Sequence, residues 1–511
     1  MKSENPPSIN PTFSIGSTSC DEESDDVASK SDCHKYRYRI IPCLVILIVV
    51  TCVATILSVR SHSTESANSA QQSNSMGGGD KNHNNSMSWS SIEDQVETVI
   101  RSAVWWLDGS ELEDPDTYYS KALLWLKEDV HLDISTNEDT MMMQKEELHR
   151  LWTARFALAC VYYSTFAIRH SYTDWQWGVG QIYPWYNHTN WLSHEKSECE
   201  WFGVTCERKI QSSRRLGKYQ SGVDMDDKGC HYVVTKLELP NNRLTGSLPR
   251  EVTLLSNLKT LDLYQNWIWN SGEEGNSWLG SMTSLEYLYY GSTFFEYNQG
   301  IPTEISKLKH LKEYDCSYTL YRGSLHGDSF QGLESLTYLS MSGNSFDSSL
   351  PSELARLSQL QRLYIQDATL KGNLTDFVEE MASTSSTSQL VELWLDDNHL
   401  TGTIPSELGA HTNLASLSVS NNALTGTIPT TIANLRNMEQ WWWFDNKLTG
   451  TIPGGNWTSL RLWHLDGNEF SYVPTDICKL RRSNGGMLEE LVTECNDDPI
   501  VRCDCCDICM M

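Results

Sequence analysis

The stretch LVELWLDDNHL at residues 390–400 decides the architecture of this 511-residue chain. It has leucine at its first, fourth, sixth and eleventh positions and asparagine at its ninth. The same apolar pattern recurs in LASLSVSNNAL at 414–424 and in MEQWWWFDNKL at 438–448. Because successive side chains of a β-strand point to opposite faces, the fourth and sixth positions of each copy should point inward and the third and fifth outward.

Ten copies of the pattern follow one another at intervals of 22 to 30 residues, close to the period of a leucine-rich repeat. One copy cannot bury its own apolar side, so the copies must stack and share a core. The sequence therefore predicts an α/β solenoid: a leucine-rich repeat horseshoe over residues 234–475 with a parallel β-sheet on its concave face. The copies begin at Val234, Leu258, Leu285, Leu311, Leu336, Leu360, Leu390, Leu414, Met438 and Leu460.

The ninth position of each copy lies where the chain turns away from the strand. An asparagine side chain both donates and accepts hydrogen bonds, so it can satisfy backbone groups that the turn buries. Thr293, Thr319 and Ala368 replace asparagine in the third, fourth and sixth copies. We expect those three copies to be irregular.

Residues 40–59 contain no charged side chain and are long enough to cross a bilayer as a helix. Four basic residues lie at 30–39 and only Arg60 follows closely, so the N-terminus should be cytoplasmic and the C-terminus extracellular. A cleaved signal peptide is the alternative, but a preceding region of 39 residues is too long for one. We predict a single-pass signal anchor in the plasma membrane, with a disordered cytoplasmic tail at 1–39 and a flexible stalk at 60–90.

Helix-forming segments precede the repeats. Apolar residues recur at helical spacing in 91–107, and further helices are expected after Pro115 and over 145–167. Because the exposed core at the end of a solenoid requires a capping unit, we assign residues 91–233 to a helical N-terminal cap.

Several motifs resemble those of a known family. LTGTIP at 400–405, 424–429 and 448–453, with LTGSLP at 244–249, resembles the plant-type extracellular leucine-rich repeat. CEWFGVTC at 199–206 and ALLWLKEDV at 122–130 resemble the cap that precedes the repeats of plant receptor-like proteins. With RFALACVYYSTF at 155–166 and CDCCDIC at 503–509, the chain most resembles the membrane-anchored leucine-rich repeat proteins of diatoms.

This resemblance implies a disulfide between Cys199 and Cys206, which leaves Cys160 with Cys230 as the remaining pair in the N-terminal cap. Cys316 occupies an inward strand position, where a free thiol fits. Residues 476–511 form a predicted cysteine-rich C-terminal cap, and their cysteines allow fifteen connectivities. They are Cys478, Cys495, Cys503, Cys505, Cys506 and Cys509. A thiolate metal cluster is the alternative for C-x-C-C-x-x-C, but an oxidising compartment favours disulfides, so we expect no metal.

Four glycosylation sequons also fit an extracellular location, although a chain rich in Asn, Ser and Thr contains some by chance. They are Asn84, Asn187, Asn373 and Asn456.

The outward positions of the strands combine aromatic rings with carboxylates, which suggests a recognition surface. Rings supply rigid contact area, and carboxylates accept hydrogen bonds from amides, hydroxyls or cationic groups. The alternative is that neighbouring rings stack on one another only to stabilise the sheet. The predicted ligand-binding residues are Tyr287, Tyr289, Tyr338, Tyr364, Trp394, Asp396, Asp397, Trp442, Phe444 and Asp445.

The formal net charge of −27 disfavours nucleic acid as a partner, because phosphates need basic side chains. No nucleophile–base pair or phosphate-binding loop is evident, so we expect neither an enzyme nor a bound cofactor. The leading hypothesis is a cell-surface receptor-like protein whose ectodomain binds a peptide, protein or glycan and signals through a partner such as a co-receptor. The alternative is an adhesion or cell-wall-associated structural protein.

Overall fold

The computed structural model describes residues 92–129, 138–166, 184–210, 230–269, 277–297, 300–383, 389–494 and 505–510. Within these ranges, no helix combines the length and the apolar character that crossing a membrane requires. The predicted tail, membrane span and stalk, residues 1–90, lie outside the described residues.

Most strands in the described ranges are only three residues long, because each repeat turns soon after its sixth position. In chain order they are β1 Val204–Ile210, β2 Cys230–Glu238, β3 Thr245–Ser247, β4 Thr260–Asp262, β5 Trp267–Trp269, β6 Tyr287–Tyr289, β7 Glu296–Tyr297, β8 Glu313–Asp315, β9 Leu320–Gly323, β10 Tyr338–Ser340, β11 Ser345–Phe346, β12 Arg362–Tyr364, β13 Glu392–Trp394, β14 Ser416–Ser418, β15 Thr425–Thr427, β16 Gln440–Trp442, β17 Lys447–Thr451, β18 Leu462–His464, β19 Glu469–Tyr472, β20 Glu490–Glu494 and β21 Ile508–Met510.

One large sheet contains a strand from each of the ten predicted copies, so the predicted solenoid with its parallel sheet is confirmed. The strand order is β1-β2-β4-β6-β8-β10-β12-β13-β14-β16-β18-β20-β21, in which β1 pairs antiparallel to β2 and the other neighbours are parallel. Strands β20 and β21 extend this sheet beyond residue 475. Three small sheets, β3-β5, β7-β9-β11 and β15-β17-β19, form where the chain leaves the strands.

The core follows the alternation of the strands. In the seventh copy Leu393 and Leu395 are 1% and 0% exposed, whereas Glu392 and Trp394, which alternate with them along the strand, are only half-buried. Several return segments are short 3-10 turns; Thr303–Lys307, for example, buries Ile305 against the same core.

The ninth-position asparagines satisfy the backbone at each turn. The Asn266 amide donates to the carbonyls of Leu239 and Leu263, at 2.8 and 2.9 Å, and its Oδ1 accepts from the amides of Asn242 and Leu244, both at 3.0 Å. In the third copy Thr293 replaces asparagine, and its hydroxyl donates to the backbone carbonyl of Tyr290 at 2.7 Å. Strand pairing continues in register through the third, fourth and sixth copies, so the expected irregularity of these copies is wrong for the large sheet.

Helices in the described ranges lie mainly before the first repeat. They are α1 Ile92–Ala103, α2 Ser110–Glu113, α3 Tyr118–Asp129, α4 Glu138–Thr165, α5 Ser352–Ala355, α6 Leu374–Ser383 and α7 Thr475–Cys478. Arg155 of α4 joins three segments: its guanidinium lies 2.7 Å from Asp129 of α3 and 3.2 Å from Glu198 of the cysteine loop. The same guanidinium stacks on the rings of Trp125 and Trp201, each at 5.2 Å.

The cysteines follow the sequence analysis in part. Cys199 and Cys206 are joined in a disulfide, as the resemblance implies. The expected pairing of Cys160 with Cys230 is wrong, because Cys160 is a free thiol. It lies on α4 and is fully buried among apolar residues. Cys316 is a buried free thiol, as expected.

At the C-terminal end, Cys478 pairs with Cys505, and Cys506 is also in a disulfide. Cys505 and Cys506 are therefore oxidised, which argues against the alternative of a thiolate cluster. Among the described residues, no group of three or more His, Cys, Asp or Glu side chains could hold a metal ion. Cys495 and Cys503 lie outside the described residues.

A buried carboxylate connects the helices to the first repeat. Glu251 is 0% exposed and accepts hydrogen bonds from the Trp106 indole at 3.1 Å and the Tyr118 hydroxyl at 3.4 Å. Burial raises its pKa to about 7, because removal from water penalises the charged form. Arg250, Tyr119 and Cys160 are the other titratable groups that face it.

We expect Glu251→Gln to make stability less dependent on pH. The folded pKa of about 7 exceeds the unfolded value of 4.5, so protonation stabilises the fold fully below pH 4.5 and this contribution is lost as the pH rises through 7. Urea unfolding at pH 5 and pH 8 measures the change. Glu334→Gln, at an exposed position, is the control, and an equal pH dependence in both variants and the wild type would contradict the assignment.

Candidate ligand-binding face

The outward side of the large sheet is formed by the third and fifth positions of each copy and by the seventh and eighth positions in the turn that follows. We call these residues the sheet face. Because the strands are parallel and in register, equivalent positions lie side by side: Tyr364 is next to Trp394, Trp394 next to Ser418, and Ser418 next to Trp442.

The rings of three predicted ligand-binding residues pack against one another on adjacent strands, edge to face between Tyr338 and Tyr364 and tilted between Tyr364 and Trp394. The ring centroids of Tyr338 and Tyr364 are 5.6 Å apart, and those of Tyr364 and Trp394 are 4.8 Å apart. We call Tyr338, Tyr364 and Trp394 the aromatic ladder. The Arg362 guanidinium lies over the Tyr338 ring at 5.1 Å, which adds a cation–π contact at one end of the ladder.

Hydrogen bonds fix the orientation of every ring in the ladder. The Tyr338 hydroxyl donates to Asp315 at 3.2 Å, the Tyr364 hydroxyl donates to Glu392, and the Trp394 indole donates to the Ser416 hydroxyl at 2.9 Å. All three side chains are half-buried. The polar groups of the rings thus have partners within the protein, and the exposed remainder of each ring is apolar surface.

A second group of rings lies further along the sheet. The rings of Trp442 and His464 are 4.4 Å apart, and Phe444 lies 6.5 Å from the same histidine. Ser418 stands between Trp394 and Trp442 in the strand register and is only 6% exposed. The rings therefore form two groups, because the outward residues of β14 between them are serines.

Tyr287 and Tyr289 lie apart from both groups. The Tyr289 hydroxyl donates to Glu313 at 2.7 Å, and the Lys312 ammonium lies over the Tyr287 ring at 5.7 Å. Strand β8, which carries Glu313 and Asp315 outward, separates these tyrosines from the ladder. The ten predicted site residues thus occupy three places on one face.

The predicted acidic residues follow the strands in left-handed turns. Asp397 and Asp445 have φ values of 55° and 53°, and Asp367 at the same position of the sixth copy has 49°. Aspartate tolerates this region because its short side chain bonds locally.

Burial raises the pKa of several carboxyl groups on this face. The pKa of Asp396 rises to about 6, mainly through burial and further through the charges of Asp397 and Asp367. Burial likewise raises the pKa of Asp262 to about 6, and it raises the pKa of Asp315. Burial disfavours the charged form of these carboxyl groups, and a cationic group close to them would stabilise that form.

Tyr318 was not among the predicted site residues, although it is 53% exposed and borders the acidic residues. Its φ of 51° is unusual for an aromatic residue, and its ring lies where a Cβ at Gly343 would be. Burial raises the Tyr318 pKa, and Asp367 and Asp396 raise it further. The glycine at the eighth position of the next copy is the sequence signal that could have identified this ring.

Two of the predicted sequons are exposed, at Asn373 and Asn456, and Asn187 is half-buried. Asn84 lies outside the described residues. Both exposed asparagines are off the sheet face, so a glycan on either leaves the rings accessible.

A model of the leucine-rich repeat family matches residues 335–357, 389–410 and 413–435. Receptor-like protein 41 of Arabidopsis thaliana is 28% identical over 214 residues, which cover 40% of this chain and 23% of that protein. The calmodulin-binding receptor kinase CaMRLK of the same plant is 30% identical over 161 residues, 31% of this chain and 23% of its own length. The aligned part of the chain spans about a quarter of the length of these relatives.

Among solved structures, the Arabidopsis receptor kinase HAESA, in complex with the peptide hormone IDA and the co-receptor SERK1, gives a TM-score of 0.45 at 20% identity. The match covers 58% of this chain and 48% of that one. The repeats and the sheet define a leucine-rich repeat solenoid, and the sequence similarity is to plant receptor-like proteins. The finer resemblance to diatom proteins stays a prediction.

Proposed function

We propose that this chain is a cell-surface receptor-like protein whose sheet face binds an extracellular ligand, either a peptide or a glycan. The observation that carries the proposal is the aromatic ladder, where oriented, half-exposed rings sit beside carboxylates. Rigid aromatic side chains of this kind act as anchors in protein interfaces. Sequence similarity to plant receptor-like proteins supports the receptor-like part of the proposal.

The proposal is for binding rather than catalysis, with signalling through a partner such as a co-receptor. The competing explanation is structural, because ring stacking and the hydrogen bonds to Asp315, Glu392 and Ser416 also stabilise the sheet. The two explanations differ in what a truncated ring loses: affinity for a ligand in the first, stability in the second.

Peptide and glycan arrays probed with the purified full-length chain test the proposal. We expect discrete hits that bind the wild type and fail to bind Trp394→Ala. Hits that bind both proteins equally would contradict a role for the ladder. A hit that is an insoluble wall polymer would support the alternative of an adhesion protein.

The proposal places the sheet face outside the cell, with residues 40–59 as the membrane anchor and the N-terminus in the cytoplasm. Protease added to intact cells is therefore expected to remove a C-terminal tag and to spare an N-terminal tag. The charge excess at residues 30–39 is the physical reason. Protection of the C-terminal tag together with loss of the N-terminal one would reverse the topology.

A further inference from the structure

The sheet face carries a large excess of negative charge. At the sheet-face positions in the described part of the chain, the cationic side chains are Lys236, which lies 3.9 Å from Glu238, and Arg362, which lies over the Tyr338 ring. Lys312, at the second position of the fourth copy, also reaches this face and lies over the Tyr287 ring. The carboxylates are far more numerous. They are Glu238, Asp262, Glu313, Asp315, Asp367, Glu392, Asp396, Asp397, Asp445 and Asp466. A partner that covers this face must therefore supply positive charge. Otherwise it would cover many carboxylates without placing an opposite charge near them.

The acidic residues flank both groups of rings. Asp367 and Asp396 lie in the turns that follow strands β12 and β13 of the aromatic ladder. Asp445 and Asp466 lie in the turns after β16 and β18, beside Trp442. Burial raises the pKa of Asp466, and the charge of Asp445 raises it further. Each ring group is thus paired with carboxylates that a cation would stabilise.

The carboxylates beside Trp394 and those beside Trp442 form two acidic places. The distance between these places sets the distance between the cationic side chains of a bound partner. Strand β14 lies between β13 and β16, so the places are two strand spacings apart, about 9.6 Å at roughly 4.8 Å per strand. A segment in the extended polyproline II conformation advances about 3.1 Å per residue and has three residues per turn, so its side chains at every third residue lie on the same side. A segment that crosses the strands therefore passes from one acidic place to the other in about three residues.

The aromatic ladder extends from Trp394 on β13 away from β14, towards β12 and β10, so it determines which side chains the segment carries outside the pair of cations. Its hydroxyls and its indole N–H already have partners in the protein, so its exposed ring surface offers apolar contact rather than hydrogen bonds. Apolar or aliphatic side chains suit this surface, whereas a neutral sugar would leave the charge excess uncompensated. The net charge of −27 would also speed the approach of a basic partner.

We propose, building on the proposed function, that the sheet face binds an extended basic peptide segment that crosses the strands. Two cationic side chains about three residues apart lie over the carboxylates beside Trp394 and beside Trp442. Apolar side chains of the same segment contact the aromatic ladder.

A library of acetylated, amidated decapeptides, selected on the full-length chain, tests the inference. We expect the enriched sequences to share two arginines or lysines separated by two residues. In the best arginine peptide, replacing both arginines by citrulline removes the charges and keeps the shape. That change is expected to weaken binding at least about tenfold, because charge-assisted hydrogen bonds are lost.

Matched protein variants complete the test. Asp367→Asn with Asp396→Asn should weaken the arginine peptide about tenfold and leave the citrulline peptide unchanged. Asp328→Asn with Glu334→Gln removes the same charge from exposed positions off the sheet face and should change neither.

Failure of this inference is separable from failure of the proposed function. The inference is wrong if neutral or acidic peptides are enriched, or if the citrulline peptide binds as well as the arginine peptide, while Trp394→Ala still abolishes binding. In that case the sheet face binds a ligand, but its affinity does not depend on the charge of the ligand. If no selected peptide depends on Trp394 and no glycan does, the proposed function itself fails.

Discussion

Replacing Trp441 by alanine is expected to lower the free energy of unfolding by about 3 to 5 kcal/mol, the range for large aromatic truncations in cores. The side chain is 0% exposed. Its ring lies 4.6 Å from that of Trp463, 4.8 Å from that of Trp457 and 5.1 Å from that of Trp443. Truncation leaves a cavity that these large, rigid rings cannot close. Urea unfolding monitored by circular dichroism measures the loss.

The adjacent residue is the matched control. Trp442 has the same side chain but points to the sheet face and is half-buried, so Trp442→Ala should cost about 1 kcal/mol or less. Equal losses at the two positions would mean that the strand alternation, and with it the assignment of the sheet face, is wrong.

Replacing Trp394 by alanine is expected to weaken ligand binding by at least about 2 kcal/mol, roughly 30-fold, as loss of an aromatic anchor does. The indole is the last ring of the ladder, and Tyr364 and Ser416 hold it in place before any ligand arrives. A pre-ordered ring loses little entropy on binding, so most of its contact energy contributes to affinity. Isothermal titration with the ligand selected from the array measures the loss.

Trp105→Ala is the control for that measurement, because this tryptophan is 74% exposed and follows α1 on the helical side of the first repeat. Its affinity for the ligand should equal that of the wild type. The melting temperature of Trp394→Ala decides between the two explanations of the ladder. A sharp fall in melting temperature with unchanged affinity would show that the rings stabilise the sheet and do nothing else.

The solenoid could be read from the sequence because its determinants are local and repeated. The alternation of Leu393, Trp394 and Leu395 determines which side chains face the core. An asparagine such as Asn398 recurs at the ninth position of most copies, where its side chain hydrogen-bonds to buried backbone groups. Each copy repeats the same physical solution, so ten weak signals support one another.

The failures concern contacts that no repeat specifies. The proposed partner of Cys160 rested on elimination, whereas the position of its thiol depends on how α4 packs. Inside the core, the Tyr290 hydroxyl forms hydrogen bonds with the hydroxyls of Tyr314 and Tyr321. The inward positions of these residues alone do not predict this cluster.

Within the candidate site, the sequence predicted which residues face outward but not which of them touch. Register places Trp394 beside Tyr364, whereas the direction of each ring depends on hydrogen bonds across strands. Tyr318 was missed because its signal is indirect: Gly343, at the eighth position of the next copy, leaves the space that the Tyr318 ring occupies.

Hydroxyl-radical footprinting of the full-length chain, with and without its ligand, tests the central claim most directly. The claim is that the ligand occupies the aromatic ladder, so oxidation of Trp394 and Tyr364 should fall when ligand is bound. Oxidation of Trp105 and Tyr186, which are 74% and 76% exposed and lie before the first repeat, should not change. Protection of Trp105 and Tyr186 with no change at Trp394 would contradict the account.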